Sequence, residues 1–161
     1  MDPEAPLDAE QILRALAEQS VDYVIVGGLA VQTYGHVRTT VDIDVIPRPD
    51  PENLARLADA LVALQARILH PGGTDMTIDA AMLPRATLWQ FATRHGAIDV
   101  LHDAPGAPPY DALRERALEL ELGGLTLAVV GRDDLISMKR ASGRPVDLED
   151  IAALTDPGAG G

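Results

Sequence analysis

Two aspartates separated by a single residue, Asp42 and Asp44, interrupt the apolar run of Val41, Ile43 and Val45. In a strand alternate side chains share a face, so the three apolar residues turn one way and both carboxylates the other, roughly 6 to 7 Å apart. Two acids on one face of an apolar strand repel each other and have low strand propensity, which is costly unless a cation or donors meet them. Hard oxygen ligands at this spacing suit Mg²⁺, which keeps some waters and takes its remaining ligands from phosphates. The competing reading is a solvated strand face. Upstream, Val21 to Val26 is a β-branched and aromatic run that stops at Gly27 and Gly28, where the missing Cβ permits positive φ and close approach to a ligand. Leu29 to Tyr34 then reads as a helix whose first N–H groups lack partners and favour an anion such as phosphate. A Gly-Gly pair by itself more often makes only a turn. Followed by D-x-D, the pair suits binding of a nucleoside triphosphate (NTP) through metal ions.

A third carboxylate is expected at Asp99, a lone acid between Ile98 and Val100. Two-cation transfer chemistry needs fixed carboxylates, one of them oriented to accept the proton of the nucleophile; the alternative is a solvent-facing acid at a strand end. Arg38 falls between the glycines and the acids, where it could contact a triphosphate or orient Asp42, or make a structural ion pair. Lys139 lies four residues after Leu135, so an inward Leu135 would bring it near a phosphate, against the commoner reading of a surface lysine. Arg144 and Asp147 are expected to pair and fix a turn between two helices. His36, His70, His95 and His102 share no zinc-ligand spacing, and His102, three residues after Asp99, is expected to line the site.

These residues need elements to hold them. Asp8 and Gln11 form a plausible cap for a helix over about 9 to 19, with Ile12, Leu13, Leu16 and Ala17 at helical spacing. Pro47, Pro49 and Pro51 break the Asp42–Asp44 strand, and Glu52 to Leu69 reads as a long amphipathic helix. Residues 70–85 look like an irregular connection. Thr87 to Thr93 and Ala97 to Leu101 form a hairpin around Arg94, His95 and Gly96. Tyr110 to Glu121 is a helix, and Gly123 and Gly124 turn into a strand from Leu125 to Val130. Asp133 caps a helix over about 134 to 142 that Gly143 ends, and Pro145 opens the last helix, to about Leu154, before a frayed PGAGG tail.

The 161 residues fit one domain, with a core of about 8–130 and a helical C-terminal element of about 133–155. There is no Cys, which removes disulfides and thiolate zinc sites and fits a reducing cytosol. The acidic N-terminus lacks a signal pattern and no apolar run reaches membrane-spanning length, so a soluble, cytoplasmic protein is expected. A net charge of −12 argues against strong general nucleic-acid binding, because neutralising phosphates dominates such affinity.

The run VGGLAVQTYGHVRTTVDIDV resembles the nucleotidyltransferase superfamily related to DNA polymerase β, whose pattern is a G-[GS] turn, a short helix and a [DE]-x-[DE] strand. The R-T-T-V-D-I-D form looks most like the AbiEii-type branch, which includes bacterial toxin enzymes, and the small antibiotic-modifying nucleotidyltransferases. DLISMKRASGRPVDLEDIAAL resembles the C-terminal element of the same AbiEii-like proteins. The usual second turn residue is Ser; here it is Gly28, so backbone must replace a hydroxyl contact. The resemblance implies a mixed α/β nucleotidyltransferase fold, a small twisted mixed sheet flanked by helices. It also implies a third acid on a strand beside D-x-D, a place that Asp99 fits, and transfer of a nucleoside monophosphate (NMP) from an NTP to a hydroxyl with release of pyrophosphate. Asp42, Asp44 and Asp99 would be both catalytic residues and ligands of two Mg²⁺ ions, and Gly27 and Gly28 would hold the β- and γ-phosphates. The acceptor could be tRNA, protein or a small hydroxylated molecule; net acidity favours the last two, since a cationic aminoglycoside suits a negative cleft. The toxin branch implies an antitoxin partner. The rival reading is a catalytically idle nucleotide-binding module acting as an antitoxin or partner subunit.

Overall fold

Asp8 opens the first helix, α1 (Ala9–Glu18), by accepting a hydrogen bond from the Gln11 backbone N–H, which satisfies one of the donors a helix start leaves unpaired. Ile12, Leu13 and Leu16 form its buried stripe. A computed structural model describes residues 5–70 and 76–156 of the chain. After α1 come β1 (Tyr23–Val26), the short helix α2 (Gly27–Thr33), β2 (Asp42–Pro47) and α3 (Pro51–Ala63). Asp50 caps α3 by accepting from the Asn53 N–H. The two-residue strand β3 (Arg67–Ile68) and a 3₁₀ turn at Leu83–Arg85 precede the hairpin β4 (Leu88–Thr93) and β5 (Gly96–Leu101). Then follow α4 (Tyr110–Glu115), β6 (Leu118–Leu122), β7 (Leu125–Val129), α5 (Arg132–Ser142) and α6 (Pro145–Thr155).

The strands form a seven-stranded mixed sheet in the order β3-β4-β5-β2-β1-β7-β6, flanked by helices, as expected for a nucleotidyltransferase fold. Two pairings matter most. β2 runs antiparallel to β1 with Val26 opposite Asp44, and parallel to β5 with Asp44 opposite Asp99. Alternation then sorts the faces: Ile43, Val45, Ile98 and Val100 are fully buried, while Asp42, Asp44, Asp99 and Leu101 are partly open on the other side. The apolar face meets the core that includes Leu13, Leu57, Leu61 and Phe91. Burial of such side chains contributes roughly 1.5–3 kcal/mol each, so the acid-bearing strands are anchored from behind.

Four expectations from the sequence change. The helix expected to reach Leu69 stops at Ala63: Gln65 takes φ 54°, the Gln65 N–H bonds Val62 and the Ala66 N–H bonds Leu61. This is a Schellman end made without its usual glycine, so Ile68 belongs to a strand. The helix expected over Tyr110 to Glu121 ends at Glu115, and Leu118 to Leu122 pairs with β7 across Gly123 and Gly124, at φ 56° and 83°. Two successive positive φ values are what a two-residue hairpin turn requires, and the L-E-L-E-L alternation is the period of a strand. Gly131, not Asp133, is the N-cap of α5. Val41 lies outside β2 and is 69% exposed, so it does not share the buried face of Ile43 and Val45. The expected helix α6 and the stop at Gly143 (φ 66°) are found. Within the expected 70–85 connection, residues 71–75 lie outside the described residues, as does the terminal PGAGG. No described helix is long and apolar enough to cross a membrane.

Candidate active site

Register and alternation bring the three acids together. One oxygen from each of Asp42, Asp44 and Asp99 lies within 4.8 Å of the others. Burial raises all three carboxyls. Asp44 is pushed to about 8 by burial and then by the charges of Asp42 and Asp99, and Asp99 to about 6 by burial and then by Asp42. Asp42 is raised by burial, against which the Arg38 charge acts most strongly. Three carboxylates this close and partly dry cannot all be ionised near neutrality without a compensating charge. An all-oxygen donor set of this kind fits a hard divalent cation, and among the described residues it is the cluster with that geometry.

The glycine bend abuts these acids because β1 ends opposite Asp44. Gly27 has φ 71°, and a Cβ there would fall on the Asp44 carboxylate oxygen. A Cβ on Gly28 would sit 2.9 Å from Thr40 Oγ1 and 3.4 Å from Arg38 Cζ. Both glycines begin α2 instead of preceding it. With the three acids they line a cavity of about 540 Å³.

The same cavity is lined by a cationic group held by two fully buried aspartates of α6, Asp147 and Asp150. Lys139, on α5 and only 5% exposed, lies 3.2 Å from Asp147 Oδ1 and 3.0 Å from Asp150 Oδ2. Arg38 Nη1 donates to Asp150 Oδ2 at 2.8 Å. Arg144 donates to both Asp147 oxygens from Nε (2.8 Å) and Nη2 (3.1 Å), and its backbone N–H also donates, at 3.0 Å. Burial pushes the Asp147 carboxyl up, but the hydrogen bond from the Arg144 side chain, with those from Ser142, the Arg144 backbone and Lys139, outweighs it and holds the group well below the usual range. Arg38, Lys139 and Arg144 all line the cavity. Lys139 is therefore a buried, paired lysine, and Arg38 is both ion-paired and cavity-lining.

The expected pairing of Arg144 with Asp147 is present, whereas the partnership of Asp147 and Asp150 in holding Lys139 and Arg38 was missed. A signal existed: D-x-x-D in the helix opened by Pro145 puts both carboxylates on one face. His102 does not line this cavity. It borders a separate space of about 180 Å³ with Pro47, Pro84 and Tyr110, because it lies beyond the end of β5.

Solved structures with this fold carry consistent names. The chain is 17% identical to ANT(2″)-Ia, whose structure is known in complex with adenylyl-2″-tobramycin, with a TM-score of 0.55 over 89% of this chain and 83% of that one. It is 17% identical to an antigenic nucleotidyltransferase-like protein from Paracoccidioides brasiliensis, with a TM-score of 0.58 over 93% and 78% of the two chains. A protein assigned as a nucleotidyltransferase, TM1012 from Thermotoga maritima, is 15% identical, with a TM-score of 0.55 over 92% and 94%. At these identities the likeness establishes the fold alone. No curated protein matches the sequence. The family described as nucleotidyltransferase of unknown function (DUF6036) matches residues 7–155, and the chain belongs to it.

Proposed function

We propose that the protein is a metal-dependent nucleotidyltransferase that moves an NMP from an NTP to a hydroxyl acceptor and releases pyrophosphate. The observation that carries this reading is the convergence of Asp42, Asp44 and Asp99 within 4.8 Å beside the Gly27–Gly28 bend. Asp42, Asp44 and Asp99 would hold Mg²⁺, two ions in the full site. A bound divalent cation supplies electrophilic stabilisation of the charge on the reacting phosphates. Asp99, on the neighbouring strand, would be the carboxylate oriented to take the hydroxyl proton. The backbone at Gly27 and Gly28 can approach the β- and γ-phosphates because no Cβ intervenes. Lys139 and Arg38 offer the triphosphate positive charge that is already oriented, so little reorganisation is needed when the donor binds.

The fold hosts more than one acceptor class. An AbiEii-like toxin would modify tRNA or protein and would have an antitoxin partner encoded beside it. A resistance-type enzyme would modify a small hydroxylated compound. We also propose one catalytic domain over the whole chain, working in the cytoplasm where NTPs and Mg²⁺ are supplied. Purified protein incubated with labelled NTPs, Mg²⁺ and either total tRNA, a protein extract or aminoglycosides is expected to transfer label. Asp42→Asn should lower that transfer at least ~100-fold. NTP binding without transfer to any acceptor would favour the idle nucleotide-binding module, and no NTP binding at all would refute both.

A further inference from the structure

The acceptor side of the cavity can be read from what flanks the acids. Strand order on the acid-bearing face runs β1, β2, β5, β4, so the glycine bend after β1 and the strand β4 lie on opposite sides of the three carboxylates. On the hairpin, Gln90 pairs with Asp99 and Leu88 with Leu101. Leu88 is 47% exposed. It lines the cavity with Leu101, Ala104, Pro105 and Met138, forming an apolar shelf beside the acids.

Charge accounting restricts what can rest there. Among the described residues, the carboxylates lining the cavity are Asp42, Asp44, Asp99 and Asp147. The first three would hold the cations of the proposed reaction, and Asp147 is bound by Lys139 and Arg144. No carboxylate is left over to meet ammonium groups on an acceptor, and a polycation moved onto the shelf would lose hydration without gaining a counter-charge. A polyanionic acceptor fares no better, because it would have to compete with the triphosphate for Arg38, Lys139 and Arg144, on a chain with a net charge of −12. The negative cleft expected to suit an aminoglycoside is thus negative only where a metal would neutralise it.

Resting on the nucleotidyl-transfer reading above, we propose that the acceptor is an uncharged hydroxyl compound with an apolar face, seated on the Leu88–Leu101 shelf. Its hydroxyl oxygen bonds to the α-phosphorus, the bond from that phosphorus to the β-phosphate oxygen breaks, and pyrophosphate leaves with the electron pair. The hydroxyl proton passes to Asp99 and then to water. The shelf contributes apolar burial and excludes water beside the reacting oxygen.

The test offers full-length protein, Mg²⁺ and the four labelled NTPs three acceptors in turn: para-nitrophenyl glucoside (neutral), tobramycin (polycationic) and total tRNA (polyanionic). Label should enter the neutral glycoside with Asp42-dependent pyrophosphate release. Leu88→Asp should shift the ratio of kcat/KM for the glycoside over tobramycin by at least about tenfold toward tobramycin, since specificity is a difference between two affinities. Label in tobramycin or tRNA but not in the glycoside overturns this proposal and leaves nucleotidyl transfer standing. NTP binding with none of the three labelled, or an unchanged ratio in Leu88→Asp, also overturns it. Absence of both NTP binding and transfer removes the underlying reading, and this one with it.

Discussion

Asp44 is the residue where the cost of the site is concentrated, since its carboxyl is held near 8 by burial and by two neighbouring acids. Cation binding requires the ionised form, so Mg²⁺ affinity should rise with pH between about 6 and 8, with proton release measurable by calorimetry in buffers of different ionisation enthalpy. The stability effect has a definite sign. A carboxyl with a folded value above its unfolded one contributes stability that is complete below the unfolded value and is lost as pH rises through the folded one. In EDTA the melting temperature should therefore fall between about pH 4 and pH 8 relative to that of Asp44→Asn, and Mg²⁺ should restore it most at the alkaline end. A wild-type minus Asp44→Asn difference that stays flat with pH would count against a shared cation site. Gly27 makes the second prediction at this scale. An alanine there meets both a left-handed backbone and the Asp44 carboxylate, so Gly27→Ala should cost about 1–3 kcal/mol by urea denaturation and weaken Mg²⁺ binding. The D-x-D and the glycines were legible as sequence because alternation along a strand is a local rule. That Gly27 must lack a side chain to leave room for Asp44 was not, since it follows from the register between two strands.

Among the elements, α6 is the one that organises charge without touching the acids. Asp147 and Asp150 are three residues apart on one helix face and pair with Arg144 at the N-cap of the same helix, Lys139 on α5 and Arg38 ahead of β2. Removing one partner from a buried charge network costs far more than an exposed pair would, because the remaining charge stays buried. Asp150→Ala is expected to destabilise the protein by about 3 kcal/mol in urea denaturation and to raise KM for the NTP, as Arg38 and Lys139 lose their orientation. A loss of stability with unchanged KM would make the network purely structural. The sequence showed the helix, its Pro145 start and the Arg144–Asp147 link, all of which are local. It did not show the reach from Asp150 to Arg38, separated by more than a hundred positions. The shortened α3 and α4 have the same lesson in reverse: periodicity carried both helices onward, and a Schellman turn at Gln65 and strand pairing with β7 stopped them.

For the whole molecule, the net charge of −12 is a statement about association. Counterion release drives most nonspecific binding to nucleic acid and needs clusters of free cations. In a gel-shift assay at physiological salt the protein should leave duplex DNA and duplex RNA unshifted at micromolar concentration. Tight binding that weakens steeply with salt would reveal a basic surface and reopen a nucleic-acid acceptor. The sheet also explains why so short a chain can carry the site. β2 and β5 are buried on one face by the core and present their acids on the other, so the same packing that holds the fold brings the three acids together.

By itself the sequence determined the strand that bears Asp42 and Asp44, the glycine bend before it and a lone acid in the hairpin, because each follows from propensity and alternation over a few residues. Only the tertiary structure decided that Asp44 faces Asp99 in a parallel pair, that Gly27 abuts that carboxylate, that Lys139 is buried between two aspartates and that His102 lies elsewhere. Those outcomes depend on strand order and register, which are set by how distant apolar faces pack together, and no local pattern encodes them.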